Sequence, residues 1–465
     1  MTSIVAVFGH ASVARLLLLN CAYLGIGVSL LRWLRMVDWG PSLLARGGVA
    51  YLAGVSVTAI ASAHLALIGW LPGALEIEGV AGVTLLATIR FAGPASGASR
   101  LKVGDALASF LAASVALVQV VHALPTAYVK PLRFEEWDSW AIWSLKGRAL
   151  SEFGTAQGQV FLDRAYQLSH LDYPILQPTL SALAGSSVGG WSVPAMRMQL
   201  VLLAAASVWA IVGLAETRLT AVALGAAVVA ITSQPWFLEQ LLTGYADVPV
   251  AALAGASLVA FANHAVRGDR RMLVLAALFG GAAGLIKNEG ALAVVVTILA
   301  FVVHLAVARR WLDLRSLGLA ALGTLALWAP WRAFVAIHGL PSNDFQLADA
   351  FHPTILRDRF DRLGPATRAV WDQLEPSSLT APLALLAAAL VAAALARRWA
   401  DVAGALCWLG FSIAGLAVVY WISGTPLPFQ LATSVDRVTV TVLLGATLYS
   451  AVLVGHVLDR SPERI

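Results

Sequence analysis

Charge is what this chain has least of. Only 12% of its residues are Asp, Glu, Lys or Arg, against 59% hydrophobic, whereas a soluble domain carries about 25% charge. The mean hydropathy is +0.79. A soluble enzyme and a disordered chain are excluded on that balance. Cysteine is nearly absent as well. Cys21 and Cys407 both lie inside apolar stretches, so neither a disulfide framework nor a thiol-ligated zinc site is supported. No G-x-x-x-x-G-K loop and no H-E-x-x-H pattern occurs, which removes support for ATP-driven chemistry and zinc proteolysis. No internal repeat relates the two halves, which speaks against a solenoid and against a transporter built from inverted repeats. The net charge is +5, but no basic cluster is interleaved with aromatics, so no nucleic-acid partner is expected.

What the chain does have is long apolar runs. Val49–Leu71, Ala106–Leu124, Ala291–Ala308 and Val435–Val457 each have the length of about 20 residues that a membrane helix needs. They are continuous rather than alternating, which excludes a transmembrane β-barrel. The expected fold is therefore an all-α polytopic membrane protein with about thirteen transmembrane helices, in a range of about 11 to 14. They fall near 14–33, 49–72, 79–93, 104–124, 197–214, 219–237, 248–265, 272–286, 290–308, 315–335, 380–396, 402–422 and 435–457. No small-residue cleavage site precedes the basic stretch Arg32–Arg35, so the first helix is expected to be retained.

Charge also gives an orientation. Loops around residues 32–46, 90–105, 216–218, 267–271, 309–315, 397–401 and 459–464 carry Lys and Arg in excess of acid. Loops on the other side carry the acidic excess. Basic short loops mark the cytoplasmic face, so the acidic side is extracytoplasmic, and a bacterial inner membrane is the expected location. The chain divides accordingly into N-terminal helices (1–124), an outer loop with juxtamembrane helices (125–196), a membrane core (197–335), a second outer loop (336–379) and C-terminal helices (380–465). Pro341, Pro353, Pro365 and Pro376 predict that the second loop is structured without being one continuous helix.

The outer ends collect the polar residues. In Phe134-Glu135-Glu136-Trp137-Asp138, followed by Trp140 and Trp143, helical periodicity places the tryptophans on one face, at headgroup level. The three carboxylates stand beside the bilayer. A helix-capping cluster is the alternative. Asp172-Tyr173-Pro174 opens a second juxtamembrane helix, where Asp172 reads as a cap. Arg197 opens the next span, where it either snorkels or grips a phosphate. Tyr245-Ala246-Asp247-Val248-Pro249 and Lys287-Asn288-Glu289-Gly290 put ionisable groups at helix mouths, where they are costly and are functional or paired. Thr433-Ser434-Val435-Asp436-Arg437 forms a last such mouth, with Asp436 the nearest partner for Arg437.

Together these supply carboxylates (Asp138, Glu135, Glu136, Asp247), cations (Arg197, Lys287, Arg437) and hydroxyls (Thr433, Ser434, Tyr245). That inventory suits an acceptor hydroxyl deprotonated by a carboxylate and a phosphate leaving group held by Arg and Lys. A lipid tail in a groove between helices would make the donor a polyprenyl-phosphate sugar.

At these motifs the chain resembles the GT-C superfamily of integral membrane glycosyltransferases. The likeness is to the branch that contains protein O-mannosyltransferases and lipid A aminoarabinose transferases. The resemblance rests on Glu135-Glu136-Trp137-Asp138, Asp172-Tyr173-Pro174, Ala195-Met196-Arg197, Asp247-Val248-Pro249 and Gly284-Leu285-Ile286-Lys287, with Thr433–Arg437 a looser match. It implies a GT-C-like fold and an inverting sugar transfer with Asp138 as general base, assisted by Glu135 or Glu136. Arg197, Lys287 and Arg437 would contact the lipid phosphate. Asp247, Tyr245, Tyr173, Glu289, Thr433 and Ser434 would orient a donor or a glycan, lipid or protein acceptor. The chain departs from the family in having about four spans before the acidic loop and Glu-Glu-Trp-Asp in place of an Asp-Glu pair, which leaves the identity of the base open.

Asp138, Asp247 and Glu289 are also hard oxygen donors of the kind Mg²⁺ or Mn²⁺ accepts. Two other functions compete. An O-antigen ligase or polymerase would draw on His338, His352 and the arginines of the second loop. A transporter or flippase would carry buried charge in mid-span, and the expected spans have almost none.

Overall fold

The computed structural model of the chain describes residues 2–36, 43–91, 136–214, 243–342, 347–374 and 380–458, together with 223, 224, 226, 227 and 240. Every element among them is helical. In a bilayer the backbone has no water to bond, so a spanning segment must satisfy its own N–H and C=O groups, as a helix does. Helices α1 (Thr2–Trp33) and α2 (Leu43–Leu67) are followed by α3 (Ala74–Phe91). A π-helical turn over Ser139–Ser144 leads into α4 (Leu145–Phe153), then α5 (Leu176–Ser187) and α6 (Val193–Gly213). The core continues with α7 (Asp247–Arg267), α8 (Arg270–Ile286), α9 (Asn288–Val307) and α10 (Trp311–Ile337). After α11 (Pro353–Asp358) and α12 (Phe360–Leu374) the chain closes with α13 (Thr380–Leu395), α14 (Trp399–Ile422) and α15 (Leu427–Leu458).

Eight of these, α1, α2, α6, α7, α9, α10, α14 and α15, contain segments long and apolar enough to cross a membrane. Three further expected spans are helices but shorter or more polar: α3 carries Glu76 in its first turn, α8 has 17 residues and α13 has 16. The expected spans at 104–124 and, apart from four residues, at 219–237 lie outside the described residues. Leu319 and Leu395, 71% and 81% exposed, would be a liability in water and mark faces turned to lipid.

Close helix packing needs small residues where no hydrophobic drive separates helix from lipid. In α1 and α2, a Cβ on Gly27 would strike the Ala50 carbonyl oxygen, and one on Gly54 the Tyr23 carbonyl oxygen. Helix α6 starts cleanly because the Ser192 hydroxyl accepts from Ala195 N at 3.3 Å, with Pro194 in the first turn. Beyond the pair α1–α2, the main packing joins α2 to α6, α7 to α8 and α15, and α9 to α14.

The bundle has two chemically distinct ends. At one, α4, α5, the α8–α9 turn and the α14–α15 turn converge. At the other lie the Arg271 bond to the Arg35 carbonyl (2.9 Å) and the Arg310–Asp313 pair (2.6 Å). The segment 347–374, expected as part of the second outer loop, folds back onto the first end, and it is not one continuous helix. Arg359 donates to the Ile422 carbonyl, and Arg362 to those of Ser423 (2.8 Å) and Thr425 (3.1 Å). Helix α12 buries Ala366, Val370 and Leu374, spaced by one turn, against α14 and α15.

Candidate functional site

A cavity of about 750 Å³ opens at the first end of the bundle. Six elements supply its chemistry: the turn at Glu136–Asp138, the loop at His170–Tyr173, the residues Gln240, Thr243 and Tyr245 ahead of α7, the α8–α9 turn, and the facing ends of α14 and of α15. Lys287 sits between α8 and α9 in an extended conformation (φ −153°, ψ 153°), which breaks the helix and aims the ammonium across the site. Gly290 permits that turn, since a Cβ there would meet the Ala283 carbonyl oxygen. Gly244, at φ 83°, makes the corresponding turn before Asp247.

The charges form an alternating ladder. Asp138 Oδ2 accepts from Arg437 Nη1 at 2.7 Å, and Asp247 Oδ2 lies 4.0 Å from the same nitrogen. Lys287 Nζ is 3.0 Å from Asp247 Oδ1 and 3.1 Å from Glu289 Oε1. The guanidinium is further pinned by two bonds to the Thr433 carbonyl (3.0 and 2.7 Å) and by the Tyr245 ring, 4.4 Å away. Ser434 accepts or donates to the Tyr420 hydroxyl at 3.0 Å. Burial works against the charge on Lys287, but Asp247 and Glu289 outweigh it and hold its proton more tightly than in a free lysine. Burial likewise pushes the Tyr245 phenol up, against the opposing pull of Arg437.

The geometry rules out the capping alternative for two carboxylates. Asp138 stands at the cap position of the π turn, but its side chain makes no capping bond, because Arg437 takes it. Asp172 is no helix cap either: it is buried and its Oδ2 accepts from Asn288 Nδ2 at 3.5 Å. The expected tryptophan face also splits. Trp137 and Trp140 are exposed at a ring separation of 4.8 Å, while Trp143 is buried and stacked on Tyr173 at 5.8 Å. A π turn, with i→i+5 bonds, advances each residue through a smaller angle than the α-helix assumed in the periodicity.

Of the expected site residues, Glu136, Asp138, Tyr173, Tyr245, Lys287, Glu289, Thr433, Ser434 and Arg437 line the cavity. Asp247 lies just behind the wall, buried between the two cations. Arg197 is buried on α6 away from the cavity lining. Glu135 lies outside the described residues. His170, Tyr420 and Gln430 line the cavity too and were not expected; Tyr420, beside Trp421 at the end of an apolar run, reads in sequence as an interfacial aromatic. Among the described residues no three carboxylate, histidine or cysteine side chains converge at metal-binding spacing. Lys287 and Arg437 each take an oxygen of this donor set, at Glu289 Oε1 and Asp138 Oδ2, and Asp247 lies between the two cations.

The lower wall of the cavity continues into a narrow apolar crevice that shares Glu289, Leu416 and Val438 with it. From Val438 to Gly445 the crevice follows α15 for about 10 Å. The neighbouring loop is held firmly. Buried Lys146 donates to the carbonyls of His170 (2.6 Å) and Tyr173 (3.2 Å), and Trp331 Nε1 donates to the Asp172 carbonyl (3.2 Å). No family model matches the chain, and no curated protein or solved structure is significantly similar to it.

Proposed function

We propose that the chain is an inverting membrane glycosyltransferase of GT-C type. It moves a sugar from a polyprenyl-phosphate donor to a hydroxyl of a glycan, lipid or protein acceptor, at the extracytoplasmic face of a bacterial inner membrane. The observation that supports this best is the cavity itself: carboxylates and cations alternate along one wall, at the mouth of an apolar crevice between membrane helices.

In this reading the lipid phosphate lies against Lys287 and Arg437, and the start of its tail enters the crevice, whose free volume of about 30 Å³ must widen to admit it. The phosphate competes with Asp138 for the guanidinium, and the carboxylate released from Arg437 takes the proton of the acceptor hydroxyl. The acceptor oxygen bonds to the anomeric carbon as the carbon–phosphate-oxygen bond breaks. The electron pair of that bond leaves on the polyprenyl phosphate, whose charge the two cations stabilise. Asp247 holds both cations in place. No step is assigned to a metal; activity after EDTA treatment, with and without added Mg²⁺ or Mn²⁺, tests that assignment.

The ligase or polymerase reading loses ground because Arg359 and Arg362 are spent on backbone carbonyls of the α14–α15 turn. Mass spectrometry of envelope glycans and glycolipids from a deletion strain tests the proposal. A sugar should disappear on deletion and return with the wild-type chain but not with Asp138→Asn. Unchanged glycans in the deletion strain would overturn it and favour a transporter.

A further inference from the structure

A second concavity of about 810 Å³ lies between α1, α2 and α6, at the opposite end of the bundle from the first cavity. One wall is a stripe on α1 formed by Leu17, Leu24, Val28 and Leu31, and Trp209 of α6 faces it. From Leu17 to Leu31 the stripe runs about 21 Å along the helix axis. A bilayer's hydrocarbon core is about 30 Å thick, so the groove spans one leaflet of about 15 Å and reaches past the midplane.

Its polar content is confined to two places. Inside, Asn20 and Tyr51 answer each other: the Tyr51 hydroxyl donates to the Asn20 side-chain oxygen and accepts from Gln199 Nε2 at 2.9 Å, while Asn20 Nδ2 donates to the Leu16 carbonyl at 2.7 Å. An alkyl chain passing them therefore strands no polar group. At the far end stand Arg32 and Arg46. Arg32 has no side-chain partner among the described residues. Two adjacent glycines of α2 show that the space is built into the packing. A Cβ on Gly48 would press on the Ala210 backbone nitrogen at 2.6 Å, whereas one on Gly47, on the groove wall beside Arg46, meets nothing within 4 Å.

We propose that this groove binds an anionic diacyl phospholipid from the leaflet at that end. The headgroup phosphate lies between Arg32 and Arg46, and an acyl chain lies along the α1 stripe. Guanidinium matches phosphate in charge and geometry, and basic pockets between membrane helices suit anionic headgroups. A helix from a second copy of the chain would fill the apolar length but offer Arg32 no phosphate.

The test uses the full chain purified in a non-ionic detergent. Dioleoylphosphatidylglycerol, dioleoylphosphatidylcholine and inorganic phosphate are added separately, and bound species are counted by native mass spectrometry. One phosphatidylglycerol per chain should be retained in preference to phosphatidylcholine, and inorganic phosphate should not displace it. The double variant Arg32→Gln/Arg46→Gln should bind phosphatidylglycerol about tenfold or more weakly, and Arg32→Lys/Arg46→Lys should keep most of the affinity. Gly47→Phe, which fills the groove and keeps both arginines in the chain, should also lose the lipid. Elution volume and thermal midpoint of each variant separate loss of binding from loss of fold. Undiminished phosphatidylglycerol binding by the Gln double variant or by Gly47→Phe overturns the proposal. So does a lipid-free dimer that Gly47→Phe converts to a monomer, which would make the groove an interface between copies.

Discussion

Two buried ionic clusters sit at opposite ends of this bundle, built from similar parts. At one end Asp138, Arg437, Asp247, Lys287 and Glu289 alternate along a cavity wall. At the other, Asp401 receives Arg398 Nε at 2.8 Å and lies 3.4 Å from His304 Nδ1 and 3.7 Å from His456 Nδ1. None of the cavities described above opens on the second cluster. It ties α9, α14 and α15 together. Buried charge in a membrane helix is thus not a functional signature by itself; what distinguishes the first cluster is the volume beside it.

The sharpest way to break that comparison is to neutralise one carboxylate in each cluster. Asp138→Asn should lower transferase activity by about 10²–10⁴-fold, the range for loss of a general base, with little change in folding. Wild-type activity in Asp138→Asn, measured with a polyprenyl-phosphate donor, would move the base to Glu136 or Glu135. Next in size are the cations. Lys287→Met and Arg437→Met should each cost about 10²–10³-fold in kcat, as for removal of one donor to a developing anion. Both should also lower the thermal midpoint, because Asp247 is left buried and under-compensated. Arg437→Lys restores the charge but not the paired bonds to the Thr433 carbonyl, so it should recover stability more than turnover.

Asp401→Ala should show the reverse pattern. Removing one partner from a buried ion cluster costs about 3–5 kcal/mol, which a thermal melt in detergent will register, while kcat and KM of the protein that remains folded stay as they were. A loss of turnover beyond the loss of folded protein would mean that the far cluster is coupled to the cavity.

How much of this was legible in the chain depends on the physics of each feature. The eight helices long and apolar enough to cross a membrane were, because apolar length is written directly in the residues. So were the helix mouths at Asp247 and Lys287, because ionisable groups are rare beside hydrocarbon; Thr433–Arg437, expected as a third mouth, lies inside α15, which starts at Leu427. So were the pairs that Lys287 makes with Asp247 and Glu289, whereas the pairing of Arg437 was not. Asp436 is the neighbour of Arg437 in sequence, yet adjacent helical residues do not face each other, and Arg437 reaches Asp138 across 299 positions. Trp143 was misplaced for a local reason, the π turn, which no residue type in Ser139–Ser144 announces. Arg197 has the composition of a phosphate ligand, but its place on α6 is fixed by packing that spacing does not encode.

The smallest expected effect concerns how the cavity's aromatic wall is held. Lys146 is buried beneath His170 and Tyr173, and burial brings its ammonium down to about 7 despite the neighbouring Asp172 carboxylate. An unfolded lysine titrates near 10.4. Between these values the unfolded chain binds the extra proton, so stability should rise with pH from about 7 upward; below about 7 both states carry it and the slope vanishes. One such proton changes stability by about 2 kcal/mol between pH 7 and 9. Lys146→Met loses the bonds to the His170 and Tyr173 carbonyls and should be less stable throughout. Its thermal midpoint should lack this rise, so the gap to wild type should widen from pH 7 to 9. A gap that stays constant over that interval would mean that Asp172 keeps Lys146 charged, and that an ion pair rather than a neutral amine holds the wall.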